Sequence, residues 1–118
     1  MNQDDKMAQL TFATVYPLYV AKLARKNRSQ AELDQVIQWL TGYSPAEIAA
    51  MKINPELTLE SFFDQAPQMN PNRSLITGSI CGVKVQKIQD PLVQNVRYLD
   101  KLVDNLYKGK SIEKVLFK

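Results

Sequence analysis

The chain has 118 residues, 15 basic and 12 acidic side chains, a formal charge of +3, and 45% apolar residues. A chain of this length withdraws about two-thirds of its extended surface from water, so one hydrophobic core is expected without metal or disulfide support. With no histidine and one cysteine, Ser-His-Asp and Cys-His catalysis, histidine-ligated zinc and an internal disulfide are excluded.

Residues 1–10 are polar and read as a frayed tail, and 11–118 as a single helical domain. No apolar run approaches the roughly 18–20 residues of a membrane span, and the opening MNQDDK has no signal-peptide character. A cytoplasmic protein without a membrane partner is expected. Thr14 is placed to cap a first helix running to about Lys26, with Pro17 in its first turn. Val15, Tyr16, Leu18, Tyr19, Val20 and Leu23 make that helix apolar around most of its circumference, which predicts a central position. Ser29 and Glu32 form a capping box, followed by Leu33, Val36, Ile37 and Leu40 on one face and ended by Gly42. Ser44, Pro45 and Glu47 open a third helix that stops before Pro55, and Thr58 opens a short fourth one ended by Pro67. Asn70 and Pro71 predict a fifth helix reaching about Ile80, although Gly78 and Gly82 weaken its far end.

Residues 83–88, VKVQKI, alternate like a strand but have no partner signal, so an extended connector or a helical turn is expected there. Asp90 and Pro91 open the clearest element. Leu92, Val96, Leu99, Val103 and Leu106 recur along one helical face, and Gly109 closes it. Ser111 and Lys114 frame a last short helix with Ile112, Val115 and Leu116. The expected fold is all-α, a compact single-domain bundle of six or seven helices.

The charge excess lies in the C-terminal half, since residues 1–59 hold equal numbers of each sign. Acids and bases are interleaved there, as in DKLVDNLYKGK, which reads as a solvated mixed surface. Residues 29–52 have the outline of a helix-turn-helix. Their second helix, EIAAMK, offers only Glu47 and Lys52 among small residues, a poor set of donors for DNA. Asn70, Asn72, Arg73 and Ser74 crowd a predicted helix start, where free N–H groups and a guanidinium could receive a phosphate or carboxylate. Cys81 lies in an apolar stretch with no histidine base, so a buried, unreactive thiol is expected. Arg97, Asp100 and Asp104 read as a solvent-facing charge ladder rather than a metal site. The five tyrosines and Trp39 exceed what a small core needs, and are expected in the core with one edge in water or along an interface.

Four segments, VYPLYVAK, WLTGY, APQMNPNRSLITGSICGVKV and DPLVQNVRYLDKLVDNLYKGK, occur in that order. With them the chain from about Leu10 to Lys118 resembles a family of short bacterial proteins catalogued as a domain of unknown function, number twenty-two hundred in that series. The resemblance implies a compact, mostly helical, bacterial cytoplasmic protein, and it assigns no activity, cofactor or catalytic residue.

The function expected is therefore contact rather than catalysis, in a homodimer or with another protein, with no catalytic residue, metal or cofactor. The alternatives are a small-anion binding protein or enzyme using Asn70, Asn72, Arg73 and Ser74, and a nucleic-acid module at 29–52. The second of these is the less favoured, so nucleic acid is not the expected partner.

Overall fold

Each of the six α-helices among the described residues begins on a side chain that accepts from its own first turn. These caps are Thr11, Ser29, Ser44, Thr58, Asp90 and Ser111. The structure is a computed structural model and describes residues 9–80 and 82–116. The helices are α1 (Phe12–Ala24), α2 (Gln30–Thr41), α3 (Pro45–Met51), α4 (Leu59–Asp64), α5 (Pro91–Tyr107) and α6 (Ile112–Val115). Two 3₁₀ turns, Pro71–Leu75 and Val85–Lys87, and a two-stranded hairpin complete the set. The fold is mostly α in a single domain, as expected. Of the tail expected at 1–10, residues 1–8 lie outside the described residues.

α5 is the hub. Val93, Val96, Tyr98, Leu99, Leu102, Val103 and Leu106 are buried along it, and α1, α2, α4, α6 and the hairpin all pack against it. α1, by contrast, is not central. Phe12, Val15, Tyr16 and Leu23 are buried on its inner side, but Thr14, Pro17, Leu18, Ala21 and Ala24 face solvent. Nor does Thr14 cap it. Thr11 Oγ accepts from the Thr14 N–H at 3.2 Å, and the helix starts earlier because its entry is tied to residues 57–59. The Phe12 N–H donates to Leu57 O at 2.9 Å and the Leu59 N–H donates to Leu10 O at 2.7 Å. Pro17 consequently falls inside the helix, on the exposed side, where water can meet the Ala13 carbonyl that its ring leaves unpaired.

The predicted fifth helix is cut short. After the 3₁₀ turn at Pro71–Leu75, Ile76 is extended and Gly78 sits at φ +112°, which ends helical winding. Ser79–Ile80 (β1) then pairs antiparallel with Val83–Lys84 (β2), in the register Ser79↔Lys84 and Ile80↔Val83. The expected connector at 83–88 is thus a strand with a partner, followed by the 3₁₀ turn. The partner was hidden because each strand is two residues long, too short for an alternation to show.

One aromatic group sits under the α1–α4 corner. Phe12 stacks on Phe62 at 4.5 Å, Phe62 meets Phe63 edge-on at 4.9 Å, and the Tyr43 ring lies 5.1 Å from Phe62. The buried Tyr43 hydroxyl donates to Phe62 O at 2.6 Å.

Gly42 ends α2 in the left-handed region at φ +80°. A Cβ there would stand 3.0 Å from Gln68 O and 3.1 Å from Gln68 N, both backbone atoms. Gly42→Ala combines an unfavourable φ with that contact, so a loss of about 1–3 kcal/mol is expected in urea unfolding. Gly109→Ala, with the same sign of φ but open space around it, should cost less.

Candidate functional site

The Asn70–Ser74 turn is brought together as the sequence predicts, and its polar groups are turned onto the chain itself. Asn70 Oδ1 accepts from the Asn72 N–H at 2.8 Å, and Asn70 Nδ2 donates to Trp39 O at 3.1 Å. Arg73 Nη1 donates to Asn70 O at 2.8 Å, and Ser74 Oγ donates to Pro71 O at 3.4 Å. The Gln68 and Asn70 N–H groups reach the carbonyls of Thr41 and Leu40 at the end of α2. The turn therefore stitches the loop to that helix end, supplying partners to carbonyls that α2 cannot satisfy internally. Beside it, Trp39, Gly42, Gln68, Asn70 and Pro71 line an open hollow of about 260 Å³; Arg73 is not among its walls.

The more connected polar groups lie on the two flanks of α1. On one flank the Tyr16 hydroxyl donates to Asp34 of α2, whose other oxygen faces Lys52 Nζ at 3.5 Å. The Lys52 ammonium also sits 4.7 Å from the Tyr16 ring centre. On the other flank the Tyr19 hydroxyl donates to Asp100 of α5, which accepts from Arg97 Nη1 at 3.2 Å. Three positions apart on one helix, the two tyrosines thus clasp two different neighbours. Burial raises the pKa of both phenols, and the adjacent carboxylates Asp34 and Asp100 raise them further. Burial also raises that of Tyr43, with Glu47 adding to it. For Lys52, burial pulls downward but is outweighed by Tyr16 and Asp34, so its pKa is raised.

One turn further along α5, Asp104 gathers three ammonium groups. Lys22 lies 3.7 Å away, Lys101 3.8 Å and Lys108 3.1 Å. The charges on α5 are thus not a solvent-facing ladder. The side chains of Arg97, Asp100, Lys101 and Asp104 are only 12–20% exposed: Tyr19 and Lys22 of α1 reach Asp100 and Asp104, and Lys101 Nζ donates to Ser79 O of the hairpin at 3.4 Å. These partnerships span the chain, as in Tyr16–Asp34 and Tyr19–Asp100, so no local spacing signals them.

The helix pair at 29–52 is formed by α2 and α3, but Glu47 is spent capping Ser44 N at 2.9 Å and Lys52 is held by Asp34. Around them Pro45, Ala46, Ala49 and Ala50 are exposed. The tyrosines are core residues: Tyr16, Tyr43 and Tyr98 are buried and Tyr19 and Tyr107 half-buried, and the hydroxyls of Tyr16, Tyr19 and Tyr43 are held by Asp34, Asp100 and Phe62 O. Among the described residues no three acidic or cysteine side chains are grouped as a metal would require. No helix among them is long and apolar enough to cross a membrane. The thiol expected at Cys81 lies outside the described residues. Other hollows, of about 340, 410 and 330 Å³, are open and lie between α4 and α5, beside Trp39, and between Tyr43 and Gln65.

Residues 6–117 match the family described as an uncharacterized protein conserved in bacteria, DUF2200. The chain belongs to DUF2200. It is also similar to the crystal structure of uncharacterized protein SP1917, with a TM-score of 0.90 and 44% identity over 99% of this chain and 93% of that one. No curated protein matches it. The family seen in the four sequence segments is confirmed; its description and that of SP1917 name no activity.

Two outcomes follow for this DUF2200 chain. Asn70→Ala removes both the turn's cap and the donor to Trp39 O, so a loss of about 1–2 kcal/mol is expected by chemical denaturation. Alkali is the second test. Tyr16, Tyr19, Tyr43 and Lys52 all have folded-state pKa values raised above the ordinary 10.0 and 10.5. Protons are then bound more tightly in the folded state, so this stabilisation is complete below about pH 10 and is lost as pH rises through the raised values. The melting temperature should be flat below about pH 9 and fall above pH 10, less steeply in Tyr16→Phe/Tyr19→Phe.

Proposed function

We propose that this DUF2200 protein works by contact, and that the outward face of α1 is the contact surface, with a second copy of the chain as its partner. The observation that carries the reading is the character of that face. Thr14, Pro17, Leu18, Ala21 and Ala24 are exposed along about three helical turns, and Leu18 leaves 65% of its surface in water. A single exposed leucine is ordinary in a soluble domain. A helix that turns an uncharged stripe outward is not, since water-facing stripes normally carry charge. α1 holds no acidic residue, and its charges, Lys22 and the flanking Arg25 and Lys26, are confined to its last turn and beyond. Small side chains at 14, 17, 21 and 24 leave room for a second helix to approach closely. The hollows described above are open, and in the one lined by Tyr43 and Glu47 the hydroxyl is committed to Phe62 O and the carboxylate to the Ser44 N–H. We assign the protein to the bacterial cytoplasm, a compartment that suits a chain with one cysteine.

Light scattering at micromolar concentration is expected to return about twice the chain mass of 13.4 kDa. Leu18→Arg should return a single-chain mass with an unchanged circular-dichroism spectrum. A single-chain mass for the wild type across a dilution series would overturn self-association.

A further inference from the structure

We propose that the lysine cluster where the ends of α1 and α5 meet binds the phosphate backbone of nucleic acid without reading its sequence. Along the sequence, the bases of α5 are balanced by interleaved acids. Folding changes that count by laying the end of α1 beside α5. Lys22 joins Lys101 and Lys108 around the one carboxylate of Asp104. Lys22 and Lys26 also stand 5.1 and 5.2 Å from the centre of the Tyr107 ring. Three ammonium groups thus face a single carboxylate, and Lys26 adds a fourth positive charge beside the same ring.

Helix-end electrostatics accounts for Lys22 and Lys108, which lie in the last turn of α1 and just after α5. It does not account for Lys26, beyond the end of α1; Lys101, well inside α5, is held between Asp104 and the Ser79 carbonyl, to which it donates at 3.4 Å. Lysines act as mobile point charges, suited to a phosphate backbone rather than to bidentate reading of base edges. None of the hollows described above is lined by these lysines, so the cluster offers no enclosure for a small anion. An extended polyanion needs none, because it gains from several charges along its length. Tyr107, half-buried among the lysines, decides between polyanions. Nucleic acid supplies both phosphates and flat bases that stack on such a ring, whereas a lipid headgroup supplies only the phosphate. The proposal uses other side chains than the self-association reading and stands whether or not that reading holds.

The test is fluorescence anisotropy of a labelled single-stranded oligonucleotide titrated with the full chain. With three lysine–phosphate contacts, from Lys22, Lys26 and Lys108, affinity is expected to fall about 20-fold between 50 and 200 mM salt. Lys26→Ala/Lys108→Ala, at two exposed positions, should weaken binding and cut the slope of log affinity against log salt by about two-thirds. Lys84→Ala/Lys87→Ala, equally exposed but outside the cluster, should change neither. Melting curves within a few degrees of wild type confirm that both double variants are folded. No anisotropy change at 50 mM salt, equal losses in the two double variants, or binding to phosphatidylserine vesicles without binding to the oligonucleotide would each overturn the proposal.

Discussion

Leu99, Leu102, Val103 and Leu106 are within 1% of complete burial, and all lie on one stripe of α5. α1, α2, α4 and α6 turn apolar faces toward this helix, so most of the core is shared with it. Each buried aliphatic side chain contributes about 1.5–3 kcal/mol relative to exposure. A helix surrounded so completely has little surface left for charge. Arg97, Asp100, Lys101 and Asp104 are therefore pressed to its shoulders, where α1 meets Asp100 and Asp104 and the hairpin meets Lys101.

That arrangement fixes how α1 is rotated about its own axis. Tyr16 and Tyr19 carry their rings inward and their hydroxyls to the rim, one to Asp34 and the other to Asp100. With a tether on each flank, α1 cannot roll toward either neighbour without breaking a phenol–carboxylate hydrogen bond, a cost of roughly 1.5–3 kcal/mol for a bond to a charged group. The side opposite the tethers, with Pro17, Leu18 and Ala21, is consequently held outward. The same rotation brings Lys22 to Asp104. Both surfaces discussed above are consequences of these clasps.

What could be read from the sequence was what local rules encode. The capping boxes Ser29/Glu32 and Ser44/Glu47 both close as the spacing requires, and the four-three stripe of α5 is buried along its length. The misplaced start of α1 had a tertiary cause. Thr11 and Thr14 are both good caps, and the bridge between Thr11 and Thr58 chooses the first. The central position expected for α1 was wrong because composition counts apolar residues without saying which have a partner. The crowding of Asn70, Asn72, Arg73 and Ser74 was legible as a turn, but which carbonyls those donors would meet depended on the end of α2. The groups around Asp34, Asp100 and Asp104 were hidden for the same reason, since each joins helices far apart in sequence.

Arg28, in the link between α1 and α2, donates through Nη2 to Glu32 at 2.7 Å and to the Lys110 carbonyl at 2.8 Å, a residue 82 positions away between α5 and α6. One guanidinium thus fastens two chain reversals to each other. Release of α6 from the core would free Arg28, and loosening of the α1–α2 corner would withdraw a partner from the Lys110 carbonyl. The C-terminal turn and the first interhelical corner are therefore coupled as one cooperative unit of local opening, with correlated amide exchange, although 82 positions separate them.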